Sequence, residues 1–273
     1  GYYVGKWKDG RRDGFGFSVA PHEVVKCGVW AKGRFRGEQM LYHSERIYGI
    51  DISKYQHVYK RWVYGIDWRN LRITRLGHTA DRNALGAVDY PVSFVYIKST
   101  EGLTVFNPYY TRDVRAARRY GFPVGAYHFF STRPAMRQAD YFLKKSRLQK
   151  GDLPPMLDVE LSDRRIAAMG GRDVLFREML VWLKEVGRRS GTMPIIYVSQ
   201  DFVNRYMPFA PEELKAYPVW VARYGEYKPY VHLLYWQLSP DGRVRGIQGD
   251  VDIDVFNGSE EQFKRYLRTQ TVK

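Results

Sequence analysis

Two acidic residues one position apart, Asp158 and Glu160, close the apolar segment "PPMLDVE" at residues 154–160. On an extended strand, residues two apart point to the same face, so both side chains are expected to leave that strand together. Two carboxylates held this close repel each other, and this repulsion costs free energy. Residues that only solvate a surface do not require such a cost. Such a pair suits acid–base chemistry, in which one carboxyl keeps a proton while the other stays charged.

The elements that must position this pair alternate from about residue 48 onward. Helical periodicity appears in "PYYTRDVRAARRYG", "RPAMRQADYFLKKSRL" and "GRDVLFREMLVWLKEVGRRSG", the last of which stops at Gly191. The predicted strands are "YGIDIS", "FVYIKST", "PVGAYHFF", "PPMLDVE", "PIIYVSQ", "YPVWVARY", "LLYWQLS" and "VDIDVF". Alternation through the fifth strand favours parallel pairing, and the short linkers after it favour some antiparallel pairing. The fold predicted is an α/β, TIM-like (β/α)5(β)3 barrel.

Barrels of this kind carry their chemistry at the carboxyl ends of the strands. Asp51 ends the first predicted strand, and Asp158 and Glu160 end the fourth. Asp252 and Asp254 lie on the eighth. Strands one and eight are neighbours in a closed barrel, and strand four faces them across the mouth. The sequence therefore predicts several carboxyls in one cleft.

Composition limits the class of protein. The chain has 273 residues, including 22 Tyr and 7 Trp, enough for one barrel and a small appendage. No run of about 18 apolar residues is present, so no transmembrane helix is predicted. The opening "GYYVGKWKDG" lacks the apolar core of a signal peptide, which says little about compartment. Cys27 is the single cysteine, which excludes an intramolecular disulfide or a thiolate zinc cluster and favours a small hydrophobic role.

The formal net charge of +15 indicates attraction to an anionic partner. Nucleic acid, an acidic membrane surface and an anionic cell-wall polymer all fit, and charge alone does not choose among them. The basic residues are spread along the chain instead of forming one dense arm, so solvated helix faces are an equal alternative for any one cluster. No nucleic-acid motif accompanies the charge, and nucleic acid is therefore not predicted as a partner.

The first 46 residues contain a repeat and are predicted as a separate small β segment, with the barrel at 47–273. "YVGKWKDGRRDGFG" aligns with "KCGVWAKGRFRGEQ" at an offset of 23, which pairs Trp7 with Trp30 and Gly10 with Gly33. Glycines at fixed offsets around a Trp predict consecutive short hairpins. The pattern resembles the MORN repeat (membrane occupation and recognition nexus). A membrane or protein partner for these repeats and a β-extension without a partner are equal alternatives.

The barrel segments in their order resemble a known family. "YGIDISKYQ", "IDW", "FVYIKSTEG", "VGAYHFF", "PPMLDVE", "PIIYVS", "VWVARY", "YWQLS" and "GDVDIDVFNG", spanning about residues 48 to 258, look like glycoside hydrolase family 25, the Chalaropsis-type lysozymes. The resemblance implies hydrolysis of the β-1,4 bond between N-acetylmuramic acid and N-acetylglucosamine in peptidoglycan. It also implies no cofactor or metal, and a secreted, periplasmic or cell-envelope location.

The resemblance assigns roles to the acids. Glu160 matches the general acid, Asp158 its partner in the Asp-x-Glu motif, Asp51 the acid of the first strand and Asp252 that of the eighth. Asp254 stands where the family pattern has Asn, which predicts an added charge near the site. A second departure is the inserted segment 74–91, which either reshapes one wall of the cleft or is a surface insertion without function.

Rings late in the strands could stack on sugar faces, and an amide there could bind an acetamido group. The candidates for substrate binding are Tyr127, Tyr197, Trp220, Tyr224, Trp236 and Gln237. For each of them a place in the core is the alternative. His128 and Lys98 are candidates for orienting a carboxylate, with a structural role equally open for His128, and Glu101 could support the first strands.

Three rival functions were weighed. A metal-dependent hydrolase would also gather carboxylates, but His-x-His spacing is absent. Nucleic-acid binding explains only the charge. A catalytically weak peptidoglycan-binding module would keep the aromatics, yet Glu160 is present. Sequence leaves open whether the reaction retains or inverts configuration, and whether the 2-acetamido group of the substrate is the nucleophile, with Asp158 then orienting or stabilising that group.

Overall fold

The computed structural model describes residues 2–19, 26–38, 46–59, 61–78, 83–84, 87–222 and 231–273. The strands before the barrel are β1 (Tyr2–Lys8), β2 (Arg11–Val19), β3 (Lys26–Ala31) and β4 (Arg34–Glu38). The next strands in chain order are β5 (Ile47–Ile52), β6 (Val58–Tyr59), β7 (Trp62–Val63), β8 (Arg72–Arg75), β9 (Gly77–His78), β10 (Asn83–Ala84), β11 (Tyr90–Pro91), β12 (Val95–Glu101) and β13 (Val105–Phe106). The remaining strands are β14 (Val124–Phe129), β15 (Met156–Val159), β16 (Ile195–Ser199), β17 (Pro218–Ala222), β18 (His232–Arg245) and β19 (Val251–Phe256). The α-helices are α1 (Tyr110–Arg119), α2 (Ala135–Ser146), α3 (Asp163–Ala168), α4 (Arg172–Ser190), α5 (Gln200–Arg205), α6 (Glu212–Lys215) and α7 (Glu260–Thr269).

Eight strands close into one barrel in the order β5, β12, β14, β15, β16, β17, β18 and β19, and β19 pairs back with β5. Neighbours from β5 to β18 are parallel, whereas β19 is antiparallel to both β18 and β5. The predicted α/β barrel and all eight of its strands are confirmed. The predicted antiparallel pairing applies only to β19, because β17 and β18 are parallel although little chain connects them.

The three helices predicted from periodicity are confirmed as α1, α2 and α4, and Gly191 ends α4 in the left-handed conformation at φ 68°. Helix α7 was not predicted, although its start carries a capping box. The Ser259 hydroxyl accepts a hydrogen bond from the Gln262 backbone N–H, and the Gln262 side chain accepts one from the Ser259 backbone. Within the described ranges, no helix is both long and apolar enough to cross a bilayer.

The N-terminal repeat forms two β-hairpins in one antiparallel sheet, in the order β1, β2, β3, β4. Both turns have two successive residues at positive φ: Asp9 and Gly10 in the first, Lys32 and Gly33 in the second. This is the type I′ geometry that tight hairpins favour, and it places Gly where a left-handed conformation is needed. The predicted hairpins are confirmed, and the offset of 23 in the sequence is reproduced in the structure.

The hairpin sheet packs against the end of the barrel opposite the carboxyl ends of its parallel strands. Phe17 and Cys27 are buried in the same cluster as the aromatic interior of the barrel. The Phe17 ring lies 5.8 Å from that of Phe256 at the end of β19 and 6.2 Å from that of Tyr266 on α7. The Gln262 side chain donates to the backbone of β1 at 2.7 Å. The hairpins therefore close the floor of the barrel instead of standing apart from it.

Candidate active site

A cleft of about 670 Å³ opens at the carboxyl ends of the parallel strands. Among the described residues, six carboxyls line it, and four of these are the predicted catalytic acids: Asp51 on β5, Asp158 on β15, Glu160 just after β15 and Asp252 on β19. The predicted catalytic acids are therefore brought together by the fold. Their roles in catalysis stay predictions.

The direction of β19 explains which of its two acids reaches the cleft. Because β19 is antiparallel to the other strands, its first residues lie at the mouth, and Asp252 pairs in register with Asp51. Asp254 is two residues further along the same face and is completely buried below them. The family resemblance selects Asp252 as the acid of this strand, and the strand direction gives the structural reason that Asp252, and not Asp254, reaches the cleft.

Asp51 is a buried carboxyl at the mouth of the barrel. The Tyr127 hydroxyl donates to its Oδ1 at 3.4 Å. Burial and then the charge of Glu160 raise the pKa of Asp51 to about 7, against the lowering effect of hydrogen bonds from Tyr127 and Gln237. This side chain therefore titrates near neutral pH.

Asp158 and Glu160 leave the same strand end into different surroundings. Asp158 is buried, and its Oδ1 has no hydrogen-bond partner among the described residues. Burial, followed by the charges of Glu160 and Asp51, raises the pKa of Asp158 well above its usual range, while Lys98 opposes the rise. Glu160 is exposed at the cleft surface. Carboxyls in unequal environments are the arrangement from which separate acid and anion roles are built.

Asp254 supplies the additional acid that the sequence predicted, deeper than the cleft itself. Neither of its oxygens has a hydrogen-bond partner among the described residues. The Trp220 indole and the Asp51 backbone lie near it without reaching hydrogen-bond geometry. Burial raises its pKa well above the usual range, and the charges of Asp51 and Asp252 raise it further. Its surroundings therefore favour the protonated form of this carboxyl.

Three of the predicted sugar-binding residues line the cleft, namely Tyr127, Tyr197 and Gln237. The Tyr197 hydroxyl donates to Gln237 Oε1 at 3.4 Å, which links β16 to β18 across the intervening β17. All three side chains present polar atoms beside the acids. Their role in sugar binding stays a prediction.

Two of the other predicted aromatics, Trp220 and Trp236, do not line the cleft. Trp220 is fully buried in the barrel interior, where it stacks on Tyr235 at 4.9 Å. Trp236 is 2% exposed and points to the outer core, because Tyr235 and Gln237 on either side of it point inward. These two rings are corrected to core residues. Tyr224 lies outside the described residues.

Several cleft residues were not predicted. Tyr55 follows β5 and is 68% exposed, and Tyr206 lies just after α5, where its hydroxyl donates to Asp163 Oδ1 at 2.7 Å. Arg205 binds both Asp163 and Asp201, at 2.7 and 3.1 Å, and so fixes an acidic rim. All of these residues follow the carboxyl end of a strand, a position that could have identified them.

Of the two residues predicted to orient a carboxylate, Lys98 lies at the cleft and His128 does not. Lys98 lines the cleft, and its Nζ lies 2.7 Å from Glu101 Oε2. His128 is buried away from the cleft and bonds to Thr100 Oγ1 at 2.8 Å and to Gln138 Oε1 at 3.1 Å. Burial, its largest influence, lowers the pKa of His128 to about 4. His128 is therefore a neutral structural residue that holds β12, β14 and α2 together.

Part of the inserted segment 74–91 attaches to the strand that forms one cleft wall. β8 pairs with the long extension of β18, and β11 pairs with β8. The His78 backbone N–H donates to Asp241 Oδ1 at 2.7 Å, next to the cleft residue Pro240. The described part of the insertion thus buttresses this wall from outside.

An eight-stranded α/β barrel with acids converging at the carboxyl ends of its strands is an architecture that glycoside hydrolases use. Residues 50–247 match the family model for glycosyl hydrolases family 25. The chain belongs to this family and is a glycoside hydrolase.

Relatives and solved structures extend over most of the chain. The uncharacterized protein YegX of Escherichia coli O157:H7 is 34% identical over 228 residues, 82% of this chain and 74% of YegX. Lysozyme M1 of Streptomyces globisporus is 28% identical, over 78% of this chain and 68% of its own length. The bacterial lysozyme from Streptomyces coelicolor superposes with a TM-score of 0.65 at 26% identity, covering 84% of this chain and 98% of that one.

Proposed function

We propose that this protein is a peptidoglycan muramidase that hydrolyses the β-1,4 bond between N-acetylmuramic acid and N-acetylglucosamine. The observation that carries the proposal is the convergence of Asp51, Asp158, Glu160 and Asp252 on one cleft, two of them buried and Glu160 exposed. Family membership and relatives named as lysozymes support the substrate class. The polymer would be met at the cell wall, so a secreted, periplasmic or envelope location is part of the proposal.

Glu160 is the proposed proton donor. It stands at the cleft surface, where the oxygen of a bound glycosidic bond can approach it, and among the described residues five other carboxyls line that cleft. A sugar bound over Glu160 would exclude water and, with this surrounding negative charge, favour the protonated form. Protonation of the leaving oxygen then lets the bond break.

Asp158 is the proposed partner at the cationic centre. The positive charge that develops on the sugar would stabilise the ionised form of Asp158. This attraction offsets the effect of burial, which raises the pKa of Asp158 before the sugar becomes charged. In the substrate-assisted version Asp158 instead orients the 2-acetamido group. Asp51 and Asp252, paired across β5 and β19, shape the field on the opposite side of the cleft.

The test is digestion of purified peptidoglycan followed by mass analysis of the reduced products. Muramidase action predicts new reducing ends on N-acetylmuramic acid. New ends on N-acetylglucosamine, or cleavage of the peptides, would refute the proposed bond. Binding to peptidoglycan without any new ends would favour a catalytically weak binding module. Glu160→Gln, handled in parallel, shows whether any activity comes from this cleft.

A further inference from the structure

A short hairpin beside the cleft exposes an unusual share of the apolar side chains. It consists of the paired strands β6 (Val58–Tyr59) and β7 (Trp62–Val63), and we refer to it as the Trp62 hairpin. Among the described residues, nine large hydrophobic side chains are exposed, and four of them lie between residues 55 and 63. Trp62 is 70% exposed and Val63 64%. Exposed apolar side chains grouped in this way mark a contact surface.

The hairpin is held firmly at its base. His57 is completely buried, with Nε2 at 2.6 Å from Asp113 Oδ2 and Nδ1 at 3.0 Å from the Tyr64 carbonyl. The Tyr64 N–H donates back to the His57 carbonyl at 2.8 Å. The Tyr109 ring stacks on the imidazole at 4.2 Å. Trp62 is therefore displayed on a fixed support, which lowers the entropy that binding a ligand would cost.

The hairpin is continuous with the wall of the cleft. Residues Lys54–Gln56 form a single 3-10 turn that contacts β6, and Tyr55 in this turn lines the cleft. The turn is fixed by Ser53, whose hydroxyl accepts from the Tyr55 N–H at 3.3 Å. Gln56 ties it to the Asp250 carbonyl at 3.0 Å. The hairpin therefore adjoins the Tyr55 wall of the cleft.

We propose that the Trp62 hairpin is a second glycan-binding surface, which binds sugars of the same strand beyond those held in the cleft. This inference rests on the proposed function. Sugar rings carry apolar C–H faces that can pack on an exposed indole. Arg61, next to Trp62, is also exposed and could attract the carboxylate of a muramic sugar. Continuity with the Tyr55 wall favours a glycan over a lipid surface as the ligand.

The test compares Trp62→Ala with a matched control. Trp7 on β1 is 58% exposed, but it belongs to the sheet at the opposite end of the barrel, so Trp7→Ala removes an exposed indole without touching the hairpin. The substrates are long glycan strands freed of peptides and a tetrasaccharide of the same repeat. Trp62→Ala is expected to lower kcat/KM on the long strands by about threefold to tenfold, the effect of one lost stacking contact. On the tetrasaccharide, the kcat/KM of Trp62→Ala should be close to that of wild type. Trp7→Ala should have the wild-type kcat/KM on both substrates.

A binding assay separates failure of this inference from failure of the proposed function. Co-sedimentation with insoluble peptidoglycan is measured in the Glu160→Gln background, where cleavage is not needed. Weaker binding on adding Trp62→Ala supports the surface even if the wild-type enzyme does not cut the expected bond. Unchanged binding and unchanged kcat/KM on long strands would overturn it. Binding to vesicles of phosphatidylethanolamine and phosphatidylglycerol is measured for the same two proteins. If Trp62→Ala abolishes vesicle binding and leaves glycan binding intact, the proposed glycan surface is wrong and the hairpin binds lipid.

Discussion

Glu160 is the residue on which the proposed chemistry depends most directly. Glu160→Gln preserves size and removes the proton source, so turnover on peptidoglycan should fall by about 10² to 10⁴, the usual magnitude of general acid catalysis. Turnover is measured together with thermal melting, to show that the variant is folded. Asp163→Asn, on the rim of the same cleft, is the comparison that changes charge without removing the proposed donor. A folded Glu160→Gln enzyme with near-normal turnover would refute the assignment.

Asp158→Asn separates the two roles within the Asp-x-Glu pair. It removes the charge proposed to stabilise the cationic centre but leaves Glu160 in place, so a severe loss of turnover is expected with the fold retained. Because burial raises the pKa of Asp158, its Asn variant should be at least as stable as wild type at neutral pH. Wild-type turnover in the Asn variant would remove Asp158 from the mechanism.

The buried carboxyl of Asp254 makes a stability prediction that does not depend on catalysis. Its pKa is higher in the folded state than in the unfolded chain, so the folded protein prefers the proton, and stability is lost as pH rises above about 4. Asp254→Asn removes this loss. It should match wild type near pH 4 and melt higher at pH 7, by about 2 to 4 °C for each kcal/mol recovered.

The control for Asp254→Asn is Asp173→Asn, whose side chain is 88% exposed on α4. Melting of all three proteins is followed by circular dichroism between pH 4 and pH 8. A difference between Asp254→Asn and wild type that does not change with pH would show that the carboxyl is not held protonated by its surroundings.

At the scale of elements, pattern and spacing recovered the barrel because each strand is an apolar run bounded by a turn or a helix. They also recovered the hairpin turns of the repeat, because Asp9-Gly10 fits only a few backbone geometries. The direction of the seventh strand, β18, was not recoverable, since it depends on tertiary closure of the barrel. Helix α7 was missed although Ser259 and Gln262 announce its start.

Strand β18 shows where the predicted site was too broad. Trp236 and Gln237 are adjacent, and adjacent strand residues point to opposite faces, so both cannot enter the cleft. Alternation along the strand could have shown that only one of the two side chains enters the cleft. To decide which one does, the position of Asp254 is needed, because Asp254 on β19 is the register partner of Gln237. Trp220 points inward yet lies too deep, and depth along a barrel is invisible in the sequence.

The hairpin sheet leads to a prediction about the floor of the barrel. The sequence predicts that the barrel folds without the repeats, and this stays a prediction. In the structure, however, Phe17 and Cys27 of the repeats share a core with barrel residues. Phe17→Ala should therefore lower the free energy of unfolding of the whole protein by about 3 to 5 kcal/mol. Trp7→Ala, in the exposed part of the same sheet, should change it little. Urea unfolding measures both, and a wild-type midpoint for Phe17→Ala would show that the sheet is not needed by the barrel.

The molecule as a whole is positively charged, whereas the charged side chains that line its cleft are mainly acidic. The chain carries 44 Lys and Arg against 29 Asp and Glu. Among the described residues, however, six carboxyls and only one ammonium, that of Lys98, line the cleft; the carboxyls are those of Asp51, Asp158, Glu160, Asp163, Asp201 and Asp252. The body is therefore suited to approach an anionic wall, and the cleft is suited to a neutral sugar on which positive charge develops.

This division predicts different salt sensitivity for different substrates. Attraction between the basic body and wall polymers is screened over a Debye length of about 8 Å at physiological salt, so raising salt should slow digestion of whole walls. Short oligosaccharides of the same repeat carry only the few carboxylates of their N-acetylmuramic acid, so they gain little from that attraction. The buried cleft acids are screened less, so hydrolysis of these oligosaccharides should change little. Initial rates on both substrates from low to high sodium chloride provide the measurement. If both substrates lose activity in parallel, the charge acts within the cleft or on the fold, and the proposed role of the basic body is wrong.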